Sequence, residues 1–230
     1  MKKVFVFDFD GTLVDSYSCL PEIYRRIADK LGLKERDEFV RRALEYEDEQ
    51  DYLRNYDRRK WWPRLFKEFG LNVSEEDLDE LLNEFWEDRT RLSRVIDGVR
   101  QILDFLKSKG IINVILAGSD GQRGVKRMRI EGSGISNYFD DIIIVGEDVG
   151  DRCEALGILM EKYGVKQDDI VVVDDKPSPI NEISRCFENV TTVMLEFRGI
   201  LKTAWEVEAC SPDFRIKEIE ELRSIVDRDV

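Results

Sequence analysis

The segment from Val4 to Ser16 constrains the fold of this chain more than any other part. A short apolar run ends at two aspartates, Asp8 and Asp10, and Gly11-Thr12 then breaks the apolar pattern. The pattern predicts a buried strand that carries both acids at its carboxyl end and is followed by a sharp turn. In an open α/β sheet, ligands bind at the carboxyl ends of the strands, so the segment also indicates where a site would lie.

The two aspartates are expected to share one face of this strand, because side chains two residues apart in an extended strand point the same way. Two like charges held 4 Å apart repel each other by ~4 kcal/mol at an effective dielectric constant near 20. A cation, a proton or a functional role of Asp8 and Asp10 must offset that repulsion.

The composition is that of a globular protein with one large domain or two small ones. Hydrophobic residues make up 42% of the 230 positions, which is enough for a sizeable core. Charged residues make up 37%, well above the usual quarter. Because such an excess of charge is a feature of thermophilic proteins, we expect a thermophilic source.

The chain has no histidine, which excludes every mechanism that needs a histidine base, nucleophile or metal ligand. Serine-hydrolase triads and most zinc enzymes are excluded with it. The net charge of −13 argues against nonspecific binding to nucleic acid or to an anionic membrane. We therefore expect no nucleic-acid partner and no membrane partner, and the sequence contains no signal peptide or spanning segment.

The cysteines are scattered and form no CxxC pair, so neither a metal site nor a disulfide framework is favoured. A cytoplasmic location, where thiols stay reduced, fits this pattern best. Cys153 in particular is expected to be an inert, small apolar residue. The four positions are Cys19, Cys153, Cys186 and Cys210.

Residues 16–95 are expected to form a helical domain inserted after the first strand. Pro21 near the start and Gly32 at the end of the first helical stretch are typical of helix termini. Ser74 caps a helix whose apolar residues recur at helical spacing, and Pro63 is expected to disturb the helix that contains it. The predicted helices are 20–32, 35–56, 58–69 and one beginning at Ser74.

From Asp97-Gly98 onward, helices alternate with short β-branched runs. This alternation indicates a parallel sheet covered by helices on both faces. The predicted fold class is therefore α/β, a Rossmann-like parallel sheet core with an inserted α-helical cap domain. The predicted strands are 111–117, 142–145, 170–173 and 190–194, and the predicted helices are 99–109, 122–131, 152–163, 179–186 and a closing helix at 216–226.

Polar residues follow each predicted strand, and these strand ends lie side by side in a parallel sheet. An acid-rich site without histidine suits a hard, oxygen-preferring cation, and Mg²⁺ is the expected cofactor. A magnesium ion beside a spare carboxylate suits phosphoryl transfer. The residues concerned are Asp8, Asp10, Ser119, Asp120, Arg152, Asp174, Asp175 and Lys176.

The stretch from Asp8 to Ser16 resembles the first motif of the haloacid dehalogenase-like hydrolase superfamily. Ser119 after its strand resembles the second motif, and Asp174-Asp175 resembles the fourth. The helical insertion resembles the C1-type cap of the phosphatase branch. The resemblance implies a core domain formed by residues 1–15 and 96–230 and a cap domain formed by residues 16–95.

The resemblance also implies a role for each motif residue. Asp8 is expected to be the nucleophile that forms an aspartyl-phosphate, and Asp10 the acid that protonates the leaving oxygen and then activates water. Ser119 is expected to hydrogen-bond the transferred phosphoryl group. The metal site is expected to comprise Asp174 and Asp175 with Asp8 and the main-chain carbonyl of Asp10.

The sequence departs from the family at the third motif, where a lysine is usual. Arg152 occupies that place and is expected to replace the lysine as a catalytic and phosphate-binding residue, although arginine is bulkier and not interchangeable with lysine. Lys126 and Lys176 are the alternative candidates for this role. Asp120 and Lys176 are also predicted to contribute to phosphate binding.

These implications predict a Mg²⁺-dependent phosphatase that acts on a small phosphorylated metabolite. Asp10 favours phosphate chemistry over halide chemistry, because dehalogenases of the superfamily generally lack an acid at this position. A phosphomutase and a non-catalytic phosphate-binding or regulatory module are the alternatives. A monomer or a homodimer is expected.

Overall fold

The computed structural model describes residues 3–196 and 208–227 of the chain. Within these residues it has eight strands and nine α-helices, so the α/β fold class is confirmed. The strands are β1 (Val4–Phe7), β2 (Val14–Asp15), β3 (Arg94–Val95), β4 (Ile112–Gly118), β5 (Asp141–Val145), β6 (Ile170–Asp174), β7 (Thr191–Leu195) and β8 (Phe214–Ile216).

The helices surround this sheet and form the inserted segment after β2. They are α1 (Leu20–Lys30), α2 (Arg36–Tyr52), α3 (Arg58–Glu68), α4 (Glu75–Leu92), α5 (Val99–Ser108), α6 (Val125–Gly132), α7 (Arg152–Tyr163), α8 (Pro177–Cys186) and α9 (Leu222–Asp227). Part of the predicted core range 96–230 lies outside the described residues.

A parallel sheet in the order β5-β4-β1-β6-β7-β8 forms the centre of the core. The side chains of β1 alternate between its faces, as the period of an extended strand requires. Phe5 and Phe7 pack into one hydrophobic cluster with α5, and Val4 and Val6 into another with α7. Because β1 is flanked by β4 and β6, its carboxyl end lies at the middle of the sheet edge.

Helices α1 to α4 pack around an aromatic core of their own. Tyr24, Trp62 and Phe85 are its centre, with ring centroids 5.4 to 6.2 Å apart. Ser74 accepts the Asp77 amide at the start of α4, as the sequence predicts. Pro63 does not interrupt α3, because burial of the residues around it outweighs one lost backbone hydrogen bond, a cost of about 3 kcal/mol.

Two linking segments connect the helical insertion to the sheet, and they pair with each other. Val14 lies opposite Val95, and Asp15 opposite Arg94, in a two-residue antiparallel ladder formed by β2 and β3. The sequence analysis found no strand in this region, since a ladder of two residues is too short to show alternation. The pairing brings both connections to one place beside the end of β1.

The prediction of a single closing helix at 216–226 is wrong. Residues Phe214–Ile216 form β8, which extends the sheet by pairing parallel to β7, and α9 begins only at Leu222. A strand of three residues at a sheet edge carries too little pattern to be distinguished from a helix start. Ile219 and Leu222 nevertheless pack into the core cluster beside α5.

No helix among the described residues is both long enough and apolar enough to cross a membrane.

Candidate functional site

A cavity of about 900 Å³ lies between the carboxyl ends of the strands and the helical insertion. Its lining from the sheet includes most of the residues predicted for the site, which the fold therefore brings together. The insertion contributes the end of α2, the loop after it and the start of α3, together with one residue of α4. The residues that line the cavity include Asp8, Asp10, Asp51, Arg58, Trp61, Arg89, Ser119, Asp120, Lys126, Arg152, Asp174, Lys176 and Glu182.

Three carboxylates meet at the ends of β1 and β6. Oxygens of Asp8, Asp174 and Asp175 lie within 4.8 Å of one another. Phe7 pairs with Val173 across the two strands, so the residues directly after this pair must be neighbours. Gly11 has a positive φ of 85°, and a Cβ there would clash with the Asp175 carboxylate, so this turn requires glycine.

Burial raises the pKa of all three acids, and repulsion within the cluster adds to it for Asp174 and Asp175. Burial and then the charge of Asp8 raise the pKa of Asp174 to about 8. Burial and then Asp174 raise the pKa of Asp175 well above its ordinary value, and burial also raises that of Asp8. A hard cation would relieve this repulsion, and an all-oxygen donor set is one that Mg²⁺ accepts. The residues therefore fit the expected cofactor.

The carboxylate of Asp10 lies outside this three-acid cluster. It accepts a hydrogen bond of 2.5 Å from Ser16 and forms ion pairs with Lys126 and Arg129 of α6. Although burial works to raise the pKa of Asp10, Arg129 and then Lys126 outweigh it and hold that pKa well below its ordinary value. The predicted contribution of Asp10 to the metal, through its main-chain carbonyl, stays a prediction.

The same two cations hold Asp120. Arg129 lies 2.8 Å and Lys126 3.0 Å from its carboxylate, and these side chains are all at least nine-tenths buried. The four groups Asp10, Asp120, Lys126 and Arg129 form one network, which we call the four-residue ion network. Since the Asp120 carboxylate is engaged there and offers no donor, the predicted phosphate contact would have to use its main-chain amide.

Ser119 lies at the end of β4 and lines the cavity. Its hydroxyl donates to Glu147 at 2.8 Å and accepts the Gly121 amide at 3.2 Å. Glu147 in turn accepts the Gly124 amide, so the acidic side chain fixes the loop that presents Ser119. The predicted role of Ser119 in phosphate binding stays a prediction.

Arg152 and the two alternative candidates, Lys126 and Lys176, have different surroundings. Arg152 lies at the start of α7, 3.5 Å from Glu182, and its charge acts against the burial that raises the pKa of Asp8 and Asp174. Lys126 belongs to the four-residue ion network. Lys176 forms a 2.8 Å ion pair with Asp51 of α2, a contact between the sheet domain and the insertion. Burial raises the pKa of Asp8, and of the three cations Arg152 opposes that rise most. Among the described residues, Arg152 also has no ion pair in that network or across to the insertion.

A disulfide joins Cys153 at the start of α7 to Cys186 at the end of α8, with the Cα atoms 6.1 Å apart. The expectation that Cys153 is inert and that no disulfide forms is therefore wrong. The two cysteines are 33 residues apart in sequence, and only the packing of α7 against α8 brings them together. The bond lies directly beside Arg152.

The sequence analysis assigns no role to two buried arginines of the site, Arg129 and Arg89. Arg129 binds both acids of the four-residue ion network. Arg58 forms a buried ion pair with Glu47, and Arg89 lines the cavity from α4. The one available signal was the spacing of Lys126 and Arg129, which places both on the same face of a helix after a strand end.

The comparisons with known proteins agree with this architecture. The profile of the haloacid dehalogenase-like hydrolases matches residues 2–178. The chain belongs to this family. The resemblance seen in the first motif is thereby confirmed, and the protein is a hydrolase of the haloacid dehalogenase-like type.

One curated relative matches 76% of the chain in sequence, and solved structures share its fold over nearly the whole length. The phosphorylated carbohydrates phosphatase of Thermotoga maritima is 27% identical over 181 residues, which are 76% of this chain and 77% of that protein. A Thermotoga maritima structure assigned as a β-phosphoglucomutase has a TM-score of 0.73 at 20% identity, covering 99% and 100% of the two chains. YfnB of Bacillus subtilis, assigned as a hydrolase of this family and solved with magnesium, has a TM-score of 0.75 at 16% identity, covering 98% and 99%.

Proposed function

We propose that this hydrolase is a Mg²⁺-dependent phosphatase that acts on small phosphorylated carbohydrates through an aspartyl-phosphate intermediate. The observation that carries the proposal is the three-acid cluster of Asp8, Asp174 and Asp175 at adjoining strand ends, with a second acid, Asp10, held apart from it. A nucleophile, cation ligands and a separate proton-transfer group are what phosphate-ester hydrolysis by covalent catalysis requires.

In the proposed reaction, an Asp8 oxygen attacks phosphorus and the bond to the sugar oxygen breaks, which leaves the phosphoryl group on Asp8. The departing oxygen takes a proton from Asp10. Water then attacks the phosphorus and gives a proton back to Asp10, and the bond between phosphorus and Asp8 breaks, which releases phosphate. The carboxylate of Asp10 is fixed by Ser16, Lys126 and Arg129, which hold it in one orientation for that transfer. Splitting the hydrolysis into two steps lowers the barrier of each.

Asp174 and Asp175 would hold Mg²⁺ together with Asp8. Bound there, the ion would offset the negative charge of the acids and of the phosphoryl group. Thr12 donates to Asp175 at 3.3 Å, so the carboxylate is oriented before any cation arrives. Preorganised ligands of this kind reduce the reorganisation that binding requires.

Ser119 and Arg152 are proposed to bind the transferred phosphoryl group, with the Asp120 amide and Lys176 as further contacts. The Arg152 guanidinium can donate two parallel hydrogen bonds to phosphate oxygens, which a lysine cannot do. Glu182 holds Arg152 at its main-chain amide as well as at its side chain. Arg152 would then take the place of the family's usual lysine.

Residues 16–95 are proposed to act as a cap that closes over the site. Ion pairing of Asp51 with Lys176 and a hydrogen bond from Arg54 to Ser178 join the two parts beside the cavity. The β2–β3 ladder is the natural pivot, because both connections pass through it. Closure would exclude water from the aspartyl-phosphate and limit the substrate to small molecules.

We also propose that the enzyme comes from a thermophile, acts in the cytoplasm and is a monomer or homodimer without nucleic-acid or membrane partners. The disulfide between Cys153 and Cys186 opposes an ordinary reducing cytoplasm. Intracellular proteins of hyperthermophiles are an exception to that rule, so a thermophilic source reconciles the two.

The test is phosphate release from a panel of phosphorylated carbohydrates in the presence and absence of Mg²⁺. Release that needs the ion supports the proposal. Isomerised sugar phosphate with a requirement for a bisphosphate activator would instead identify a phosphomutase. Binding of a phosphate analogue with no turnover of any substrate would identify a non-catalytic module.

A further inference from the structure

Arg89 of α4 is a buried cation that lines the cavity and has no carboxylate partner among the described residues. Only 5% of its surface is exposed, and its Nε atom has no hydrogen-bond acceptor. It takes part in none of the salt bridges found in residues 3–196 and 208–227. Burying an unpaired charge is costly, so such a group calls for a partner that the protein itself does not supply.

The other buried cations of the cavity are all matched by acids. Arg58 pairs with Glu47, Lys176 with Asp51 and Arg152 with Glu182. In the four-residue ion network, two cations balance two carboxylates. Arg89 is near enough to lower the pKa of Asp10 and Asp120, although burial and then Arg129 act more strongly on both. It therefore adds a surplus positive charge to a region that is already neutral.

Aromatic rings surround the Arg89 guanidinium. Its Cζ atom lies 5.8 Å from the ring centroid of Tyr17, 5.8 Å from that of Phe85 and 5.6 Å from that of Trp86. The rings position the side chain and remove water from it, but they carry no net charge that could neutralise it. Trp61, which also lines the cavity, has an indole N–H without an acceptor.

We propose that Arg89 binds a second anionic group of the substrate, a carboxylate or a second phosphate, distinct from the phosphoryl group that Asp8 attacks. This inference rests on the proposed phosphatase function and names its substrate class: phosphorylated carbohydrates that carry a second oxyanion. The guanidinium can donate two parallel hydrogen bonds to either group. The cavity is then divided between a cation-binding end at the strands and an anion-binding end at α4.

The test compares substrates that differ only in the second group. 3-Phosphoglycerate and glycerol 3-phosphate differ by a carboxylate against a hydroxymethyl group, and fructose 1,6-bisphosphate and fructose 6-phosphate differ by a second phosphate. We expect the member with the second anionic group to have the higher kcat/KM in at least one pair, and the pair that shows it identifies the anion. Arg89→Met should reduce that preference by about 10- to 100-fold, mainly through KM, as expected for loss of hydrogen bonds to a charged group.

Arg91→Met is the matched control, because Arg91 lies on the same helix but is exposed and pairs with Asp88. It should leave the preference unchanged. Arg89→Lys keeps the charge without the two-pronged geometry, so it should fall between the wild type and Arg89→Met. If Arg89→Met does not fold, the lysine variant decides: an unaltered preference in Arg89→Lys overturns the proposal. Equal kcat/KM values within both pairs in the wild type also overturn it.

Hydrolysis of an aryl phosphate with Mg²⁺ separates failure of this inference from failure of the proposed function. If the aryl ester is cleaved but neither pair shows a preference, the phosphatase stands and the role of Arg89 is wrong. If no ester is cleaved, calorimetric titration with 3-phosphoglycerate and glycerol 3-phosphate still tests Arg89. Tighter binding of 3-phosphoglycerate, weakened at least tenfold in Arg89→Met, supports the inference, and equal binding contradicts it.

Discussion

Asp8 and Asp10 leave the same strand two residues apart, yet they enter opposite electrostatic surroundings. Asp8 joins two further acids from the end of β6, and burial raises its pKa. Asp10 is bound by two cations of α6, which hold its pKa well below the ordinary value. One acid therefore lies in a cluster that attracts a cation, and the other is already neutralised by side chains of the protein.

The difference shows how one strand end can supply two distinct chemical groups. A carboxylate among other carboxylates suits a metal ligand and a nucleophile that needs a cation nearby. A carboxylate held by fixed cations keeps one position, which suits proton transfer at a defined place. We call the three-acid cluster of Asp8, Asp174 and Asp175 the Asp8 side of the site, and the four-residue ion network the Asp10 side.

Replacing Asp8 with asparagine should lower kcat with an aryl phosphate by roughly 10⁴-fold or more, because the variant lacks the nucleophile. The measurement is steady-state phosphate release with Mg²⁺ present. Asp104→Asn makes the same chemical change at an exposed position of α5 and should keep wild-type activity. Activity of Asp8→Asn within tenfold of the wild type would remove Asp8 from the proposed role.

Replacing Arg129 with methionine should destabilise the fold by about 3 to 5 kcal/mol, because two buried carboxylates would then share the single cation Lys126. Urea unfolding measures the change. Arg127→Met on the same helix removes an exposed partner of Asp148 and should cost less than about 1 kcal/mol. Equal losses in the two variants would show that the Asp10 side is not held by buried ion pairs.

The disulfide between Cys153 and Cys186 lies beside Arg152, the cation that acts on the Asp8 side. Replacing both Cys153 and Cys186 with alanine should lower the free energy of unfolding by about 2 to 4 kcal/mol, since the unfolded chain regains the freedom of the closed loop. Urea unfolding without reductant measures it, and Cys210→Ala, which removes a free cysteine, is the control. A wild type whose stability does not change on adding dithiothreitol would contradict the disulfide's contribution.

Magnesium should raise the Tm of the protein by binding to the acids of the Asp8 side and not to those of the Asp10 side. At a concentration 100 times its dissociation constant, a ligand of the folded state adds about 2.7 kcal/mol, which appears as a higher Tm. Asp174→Asn should abolish that increase, whereas Asp97→Asn, at an exposed acid outside the cluster, should keep it. A Tm increase that persists in Asp174→Asn would place the cation elsewhere.

Much of the fold followed from local pattern. Helix α7 spans Arg152–Tyr163, as predicted, because an aspartate caps its start and Gly164 adopts the left-handed conformation at its end. The prediction of a helix over 216–226 was wrong, since the three residues of β8 and the short turn after it carry no periodicity. Periodicity needs several repeats before it distinguishes a strand from a helix.

The residues of the site likewise fall into those that the sequence could locate and those that it could not. Asp8, Ser119 and Asp174-Asp175 could be located from the sequence, because each lies at the carboxyl end of a strand and parallel strands end at one edge. The partners of Asp10 could not be located, because Lys126 and Arg129 lie more than 115 residues further along the chain. Arg89 gave no signal at all, since it is one cation among many on a charged helix.

Local periodicity and the alternation of strands and helices are enough to predict the α/β fold, the inserted helices and the edge of the sheet where the acids gather. Contacts between distant parts of the chain set which cations neutralise Asp10, which cysteines join and which buried arginine has no carboxylate partner among the described residues. Those outcomes depend on separations of a few ångströms between distant residues. Electrostatic energy in a buried site changes steeply over such separations, and sequence spacing does not specify them.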